Sequence, residues 1–264
     1  MLGYINMRTQ VGILLFAFFI SSMGAAKVQV ANLNYKSEVG LHKSKLYNPG
    51  GKNLPGVLIL PEWWGLNKDM EGKGEFLASQ GYVVLVADLY GGGQTAESPD
   101  SASALLKMID GKKARQSFMA ALLQLKKVQN VDSNKIAVIG YGFGGGLATD
   151  MARRKVPVRA FVNFFGAVAP PEAKKKTSIQ RPYLWIKGEH DAYIDKKMEE
   201  SLQKEMAAFK SLLQIETYKN TFHSFTNPMA TAIGKRYHFP IDYSSSSTKK
   251  SWALLKTFLS KNLK

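Results

Sequence analysis

Ile136-Ala137-Val138-Ile139-Gly140-Tyr141-Gly142-Phe143-Gly144-Gly145-Gly146-Leu147-Ala148 is an apolar run that breaks into glycines and resumes with small and apolar residues. The pattern predicts a buried strand, a tight turn and the start of a helix. Two chemistries use such a connection. Gly140, Gly142 and Gly145 spell G-x-G-x-x-G, the turn that lets a dinucleotide pyrophosphate approach a helix N-terminus. Gly140 to Gly144 also spell the sharp elbow G-x-nucleophile-x-G, with residue 142 at the nucleophile position. A purely structural strand–turn–helix connection is the third alternative.

The flanking sequence discriminates among them. A dinucleotide site calls for an acidic residue about 20 positions downstream to take the ribose, but the next strand candidate carries Asn163. The elbow calls for an acid and then a histidine, each after a later strand. Asp191 follows the strand candidate Tyr183 to Lys187 in Gly188-Glu189-His190-Asp191, and His223 follows Leu213 to Tyr218 in Thr221-Phe222-His223-Ser224-Phe225. Nucleophile position, acid, histidine is the chain order of α/β-hydrolases.

Working outward, the other strand candidates are Val57 to Leu60, Tyr82 to Ala87, Ile136 to Gly140 and Ala160 to Phe164. Helical periods occupy Met70 to Ser79, Ser101 to Ile109, Ala114 to Val128, Gly145 to Arg154, Lys196 to Leu212 and Thr248 to Leu259, with Ser247 as N-cap of the last. Strands apolar along their whole length suit a mostly parallel sheet covered on both faces. The alternation predicts one three-layer α/β domain, with residues 27–54 as lead-in strands and 55–264 as the main body. Trp252, Leu255, Phe258 and Leu259 recur at helical spacing and are assigned to the core.

Several separate motifs then resemble the dienelactone hydrolase family. They are Pro61-Glu62-Trp63-Trp64-Gly65, Ala87-Asp88-Leu89-Tyr90-Gly91-Gly92, the elbow, Gly188 to Asp191, and His223-Ser224-Phe225-Thr226-Asn227-Pro228 with the closing Ser251-Trp252 helix. The resemblance runs from about Pro55 to the C-terminus. It implies hydrolysis of a small-molecule carboxylic ester or lactone, without a cofactor. Carried over by position, the triad falls on Gly142, Asp191 and His223, the assisting acid on Glu62, and the oxyanion donors on the backbone N–H groups of Trp63 and Phe143. The arginines that hold the family's substrate carboxylate have no counterpart after Tyr90, where Gly91-Gly92-Gly93 stand, or after His223, where Thr226-Asn227 stand.

Residue 142 departs from the family, which places Cys or Ser there. Glycine has no atom with which to form an acyl-enzyme, and the chain contains no cysteine that could substitute. Tyr141 is a phenol near pKa 10, a poor nucleophile at neutral pH. Glycine does accept the positive φ of an elbow without the ~1–3 kcal/mol of strain a side chain would store there. Two expectations follow: His223, oriented by Asp191, acts as general base on water, or the chain is a pseudohydrolase that binds a small ligand or protein in the retained cleft.

Composition narrows the rest. The 264 residues carry 36 Lys and Arg against 20 Asp and Glu, a formal charge of +16. No nucleic-acid module accompanies that charge, so it predicts no nucleic-acid partner, only weak attraction to anionic envelope polymers. Lys174-Lys175-Lys176 beside Pro170-Pro171 is assigned to a solvated loop. Four histidines without ligand spacing predict no metal site. Residues 1–26, with Arg8, the apolar run Val11 to Ile20 and the small residues Gly24-Ala25-Ala26, form a signal-peptide pattern. The run is short of the roughly 20 apolar residues a spanning helix needs, so the mature chain is expected to be periplasmic or secreted, without stable membrane insertion.

Overall fold

Alternate side chains of a strand point to opposite faces, and here both faces are apolar. Leu58 and Leu60 pack with Phe118, Leu122 and Trp185 on one side. Val57 and Ile59 pack with Leu77, Leu255 and Leu259 on the other. A sheet buried on both sides needs a helical layer on each, and the computed structural model, which describes residues 27–171 and 179–264, has that arrangement.

The strands are β1 (Gln29–Ser37), β2 (Gly40–Asn48), β3 (Leu54–Leu60), β4 (Val83–Val86), β5 (Val131–Tyr141), β6 (Ala160–Phe164), β7 (Tyr183–Gly188) and β8 (Leu213–Tyr218). They form one sheet in the order β1-β2-β4-β3-β5-β6-β7-β8. The lead-in strands β1 and β2 pair antiparallel, as do β2 and β4, and every later pairing is parallel. This is an α/β-hydrolase fold.

The helices are α1 (Lys68–Ser79), α2 (Pro99–Met108), α3 (Gly111–Lys127), α4 (Phe143–Arg153), α5 (Lys196–Glu205), α6 (Ala230–Tyr237) and α7 (Ser245–Leu263). Helices α2 to α5 contribute to the first core and α1 and α7 to the second. Three helices differ from the sequence expectation: one ends early, one starts early and one, α6, has no counterpart in it. The helix expected over Lys196 to Leu212 ends at Glu205 and continues as a 3₁₀ segment, Ala207–Leu212, with a break at Phe209. Helix α7 starts three residues earlier than expected, because Ser244 rather than Ser247 is its N-cap: the Ser244 hydroxyl accepts the Ser247 N–H. Helix α6 has Gly234 on its buried side, closely backed by the Ile241 and Phe239 carbonyls. That packing is invisible to a hydrophobicity pattern.

The signal-peptide pattern of residues 1–26 and the lysine run 174–176 lie outside the described residues. Among the described residues no helix is long and apolar enough to cross a membrane.

Candidate active site

In a parallel sheet the loops at the carboxyl ends of neighbouring strands converge on one edge. Glu62 follows β3, Gly142 follows β5, Asp191 follows β7 and His223 follows β8. Strands β3, β5, β6, β7 and β8 are consecutive neighbours, so four residues spread over 162 positions share one cleft.

The elbow is built by exclusion of side chains. A Cβ on Gly140 would stand 2.0 Å from the Gly144 carbonyl oxygen, one on Gly144 2.3 Å from the Leu60 carbonyl oxygen, and one on Gly145 2.3 Å from Asn163 Oδ1. Those three positions admit nothing larger than hydrogen. Asn163 itself is fully buried, accepting from Gly166 N and donating to Thr149 Oγ1 and the Gly166 carbonyl. It therefore braces the turn, and close packing accounts for the glycines at these three positions.

Gly142 is different. It has φ +50° and ψ −114°, yet a Cβ there would meet only Glu62 Cγ at 3.5 Å, His223 Nε2 at 3.8 Å and Glu62 Cβ at 3.9 Å. These are ordinary contacts. Space for a side chain aimed at His223 exists; only the backbone conformation disfavours one.

His223 Nδ1 lies 2.9 and 3.1 Å from the two oxygens of Asp191, whose side chain is fully buried. An ionised carboxylate only accepts hydrogen bonds. The pairing therefore places the ring proton on Nδ1 and leaves the Nε2 lone pair facing the cleft. The ring is held edge-on by Phe165 at 5.1 Å and Tyr193 at 4.7 Å. Asp191 also accepts the Tyr193 N–H, which fixes the carboxylate.

Glu62 is 3% exposed. Its Oε2 accepts the Ser224 hydroxyl at 2.8 Å, and its Oε1 is buried without a partner. Burial, reinforced by the nearby Asp69 charge, pushes this carboxyl above the usual range. Lys73, His223 and the Ser224 hydrogen bond oppose that without reversing it. Glu62 thus favours its neutral acid form more than an exposed glutamate does. Ser224 and the Lys73–Asp69 ion pair acting on Glu62 carry no signal in the sequence that marks them as site residues. Ser224 stands beside His223 in the sequence, but nothing local indicates that its hydroxyl faces Glu62.

The oxyanion expectation meets a specific geometry. Gly144 N donates to the Pro61 carbonyl and Gly142 N to the Phe164 carbonyl, whereas the N–H groups of Trp63 and Phe143 are taken up by no other described residue. Both residues line the cleft. Phe143 is the first residue of α4, where the N–H lacks a helical acceptor and the helix dipole favours negative charge. Trp64 is buried in the core while Trp63 remains partly exposed, with their rings edge-on at 4.9 Å.

The cleft is a cavity of about 480 Å³, walled by Trp63, Phe143, Leu147, Tyr193, Phe239 and Ile241. No lysine or arginine is among its described lining residues; Glu62 and Asp150 are its acidic ones. His42, remote in sequence, is tied to the Asp88 carbonyl and Ser37. Among the described residues no group of three or more His, Asp or Glu is placed to hold a metal ion.

Comparison with known proteins matches the model of the dienelactone hydrolase family to residues 43–263. A carboxymethylenebutenolidase of Pseudomonas putida is 26% identical over 192 residues, covering 67% of this chain and 78% of that protein. Protein usf of Aquifex pyrophilus is 28% identical over 183 residues, covering 66% and 77%. Among solved structures, a dienelactone hydrolase-like promiscuous phosphotriesterase from metagenomic libraries superposes with a TM-score of 0.84 at 26% identity, covering 91% of this chain and all of that one.

Proposed function

The chain belongs to the dienelactone hydrolase family, and from that premise we propose that its cleft takes a neutral carboxylic ester or lactone and hydrolyses it without an acyl-enzyme. The observation that carries this reading is the position of His223. Its Nε2 lies 3.8 Å from the point where a residue-142 side chain would begin, and its Nδ1 is anchored to Asp191. A water in that space gives its proton to Nε2 and its oxygen to the acyl carbon. The carbonyl oxygen becomes an oxyanion next to the unused N–H groups of Trp63 and Phe143. Collapse breaks the bond to the leaving oxygen, which recovers the proton from the imidazolium. Water is less nucleophilic than a thiolate, so turnover is slow. Loss of one triad member in a serine hydrolase leaves about 10³–10⁴-fold acceleration over water, and that is the scale expected.

Neutrality of the substrate follows from the lining. With Glu62 and Asp150 present and no guanidinium fork among the described lining residues, a carboxylate-bearing lactone gains no ion pair there and loses its hydration. The apolar walls suit an uncharged acyl or alkoxy group.

Gly142 also favours a second reading, in which the cleft only binds. Short p-nitrophenyl esters decide between the two. Slow turnover by the wild type that disappears in His223→Ala supports direct hydrolysis. Binding without any His223-dependent turnover supports the pseudohydrolase. Gly142→Cys is expected to restore a covalent route and to trap an acyl adduct detectable by mass; an adduct on the wild-type chain would overturn the proposal.

A further inference from the structure

Helix α4 extends the cleft away from the reacting centre. Phe143, Gly146, Leu147 and Asp150 all line it, and their spacing of three and four residues puts them on one face of the helix. Asp150 stands about two turns, or roughly 10 Å along the axis, beyond Phe143 at the helix start. Leu106 of α2 and Gly111 and Ala114 of α3 line the same cleft. Helix α3 packs on β1 and β3, on the side of β5 opposite to β8, the strand that His223 follows. The cleft therefore runs from His223 across the elbow to Asp150.

The end at Asp150 is polar in a particular way. Arg115 Nη1 donates to Oδ2 at 3.3 Å, and Arg154 Nε lies 3.1 Å from Oδ1 and 3.2 Å from Oδ2. The Asp150 side chain remains 33% exposed. A carboxylate offers about four lone-pair positions, so among the described residues Oδ1 keeps one for a further donor. Arg115 reaches the cleft wall where Gly111 has no side chain, since a Cβ there would stand 3.1 Å from Nη1. With two guanidiniums on it already, Asp150 gains little from a third cation, and a second carboxylate meets its like charge. An alkyl terminus displaces the water on Oδ1 and returns no hydrogen bond. A hydroxyl donates to Oδ1 and brings no charge.

We propose that the cleft selects an ester whose acyl chain ends in a hydroxyl group, accepted by Asp150. The direction of the chain rests on the direct-hydrolysis reading above. In that reading the leaving oxygen recovers its proton from His223, so the alkoxy part lies on the His223 side. There Ile241 bridges to His223 and Tyr193 packs against its ring. The acyl chain leaves the carbonyl carbon the other way, past Gly146 and Leu147, where apolar walls take up its methylene groups. The span of roughly 10 Å from the helix start to Asp150 corresponds to a chain of about eight carbons. Asp150 is then the residue that sets specificity.

Binding and turnover are tested separately. Calorimetric titration compares 9-hydroxynonan-2-one with decan-2-one, an unreactive pair differing by hydroxyl against methyl at the chain end. The short pair 4-hydroxybutan-2-one and pentan-2-one, whose hydroxyl cannot reach Asp150, cancels the intrinsic difference in hydration. The hydroxyl-to-methyl affinity ratio is expected to be about 10-fold higher for the long pair. Asp150→Leu, checked for folding by its circular dichroism and melting transition, should bring the two ratios together. Turnover then compares p-nitrophenyl 8-hydroxyoctanoate with p-nitrophenyl nonanoate, and 8-hydroxyoctyl acetate with nonyl acetate. An Asp150-dependent gain in kcat/KM is expected only in the first comparison. Equal ratios for long and short pairs in the wild type, or an advantage that survives Asp150→Leu, overturn the proposal. An advantage confined to the acetates overturns the acyl assignment. Hydrolysis without any hydroxyl advantage overturns this proposal and leaves direct hydrolysis standing. A binding advantage with no hydrolysis of either ester upholds the hydroxyl subsite and overturns direct hydrolysis.

Discussion

Ser224 donates its hydroxyl to Glu62 Oε2 at 2.8 Å across 162 residues of chain, and this bond gives the buried carboxyl of the cleft its one hydrogen-bond partner among the described residues. Removing the hydroxyl in Ser224→Ala leaves both Glu62 oxygens unpartnered. Because a buried polar group without a partner costs about 1–3 kcal/mol, the variant should lose stability on that scale in urea titration. The Ser224 bond also opposes the upward shift of Glu62, so the carboxyl should hold its proton to higher pH in the variant.

Glu62 makes stability depend on pH. Its folded-state pKa is raised above the unfolded value, so the folded state holds a proton that the unfolded state releases. The associated stability is fully present below the unfolded pKa of about 4.3. It is lost as pH rises through the folded pKa. Glu62→Gln lacks this titration. Its melting temperature should sit near that of the wild type at acid pH and gain on it progressively toward neutrality; a constant difference between the two would rule out the assigned cause.

Tyr141 lies within the elbow, directly before Gly142, fully buried, with its hydroxyl unpartnered among the described residues. Burial, with the Asp69 and Glu62 charges, pushes its pKa well above the ordinary phenol value, so the phenol stays neutral throughout the working range. Tyr141→Phe keeps the ring that stacks on Phe164 at 4.7 Å and removes the orphan hydroxyl. It should be neutral or stabilising by up to about 1 kcal/mol, measured by chemical denaturation, with ester turnover unchanged.

Asp88 organises the glycine loop away from the reacting centre. Its carboxylate accepts the N–H groups of Lys43, Gly91 and Gly93. Asp88→Ala leaves the buried Gly91 N–H without its acceptor, while exposed Lys43 and Gly93 can turn theirs to water, and should cost about 1–3 kcal/mol. The loss should appear as a lower denaturation midpoint while the surviving folded fraction keeps its ester affinity.

Asp191→Asn separates orientation from charge at the histidine. An amide nitrogen turned toward Nδ1 would enforce the wrong tautomer, placing the ring proton on Nε2 where the base must accept. Residual hydrolysis should fall to the level of His223→Ala, with substrate KM little changed, in steady-state kinetics on a short ester.

The amino-acid sequence alone determined the layered fold and the order of its candidate site positions. Apolar strands alternating with helical periods allow few arrangements other than a two-sided sheet, and the sharp turn itself demands Gly140, whose Cβ would meet the Gly144 carbonyl, whereas Gly144 and Gly145 are required by Leu60 and Asn163 from other strands. It also determined that residue 142 lacks a nucleophile, since that is a matter of composition. The tertiary structure alone decided which groups meet. The bond from Ser224 to Glu62, the brace of Asn163 beneath the turn, the burial of Trp64 rather than Trp63, and the approach of His223 to residue 142 all depend on strand register and on loops at the ends of different strands. Ser224 reaches Glu62 with a backbone φ of +55°, a conformation that no periodicity signals. Contacts of this kind arise from packing across the sheet, where the distance along the chain carries no information about the distance in space.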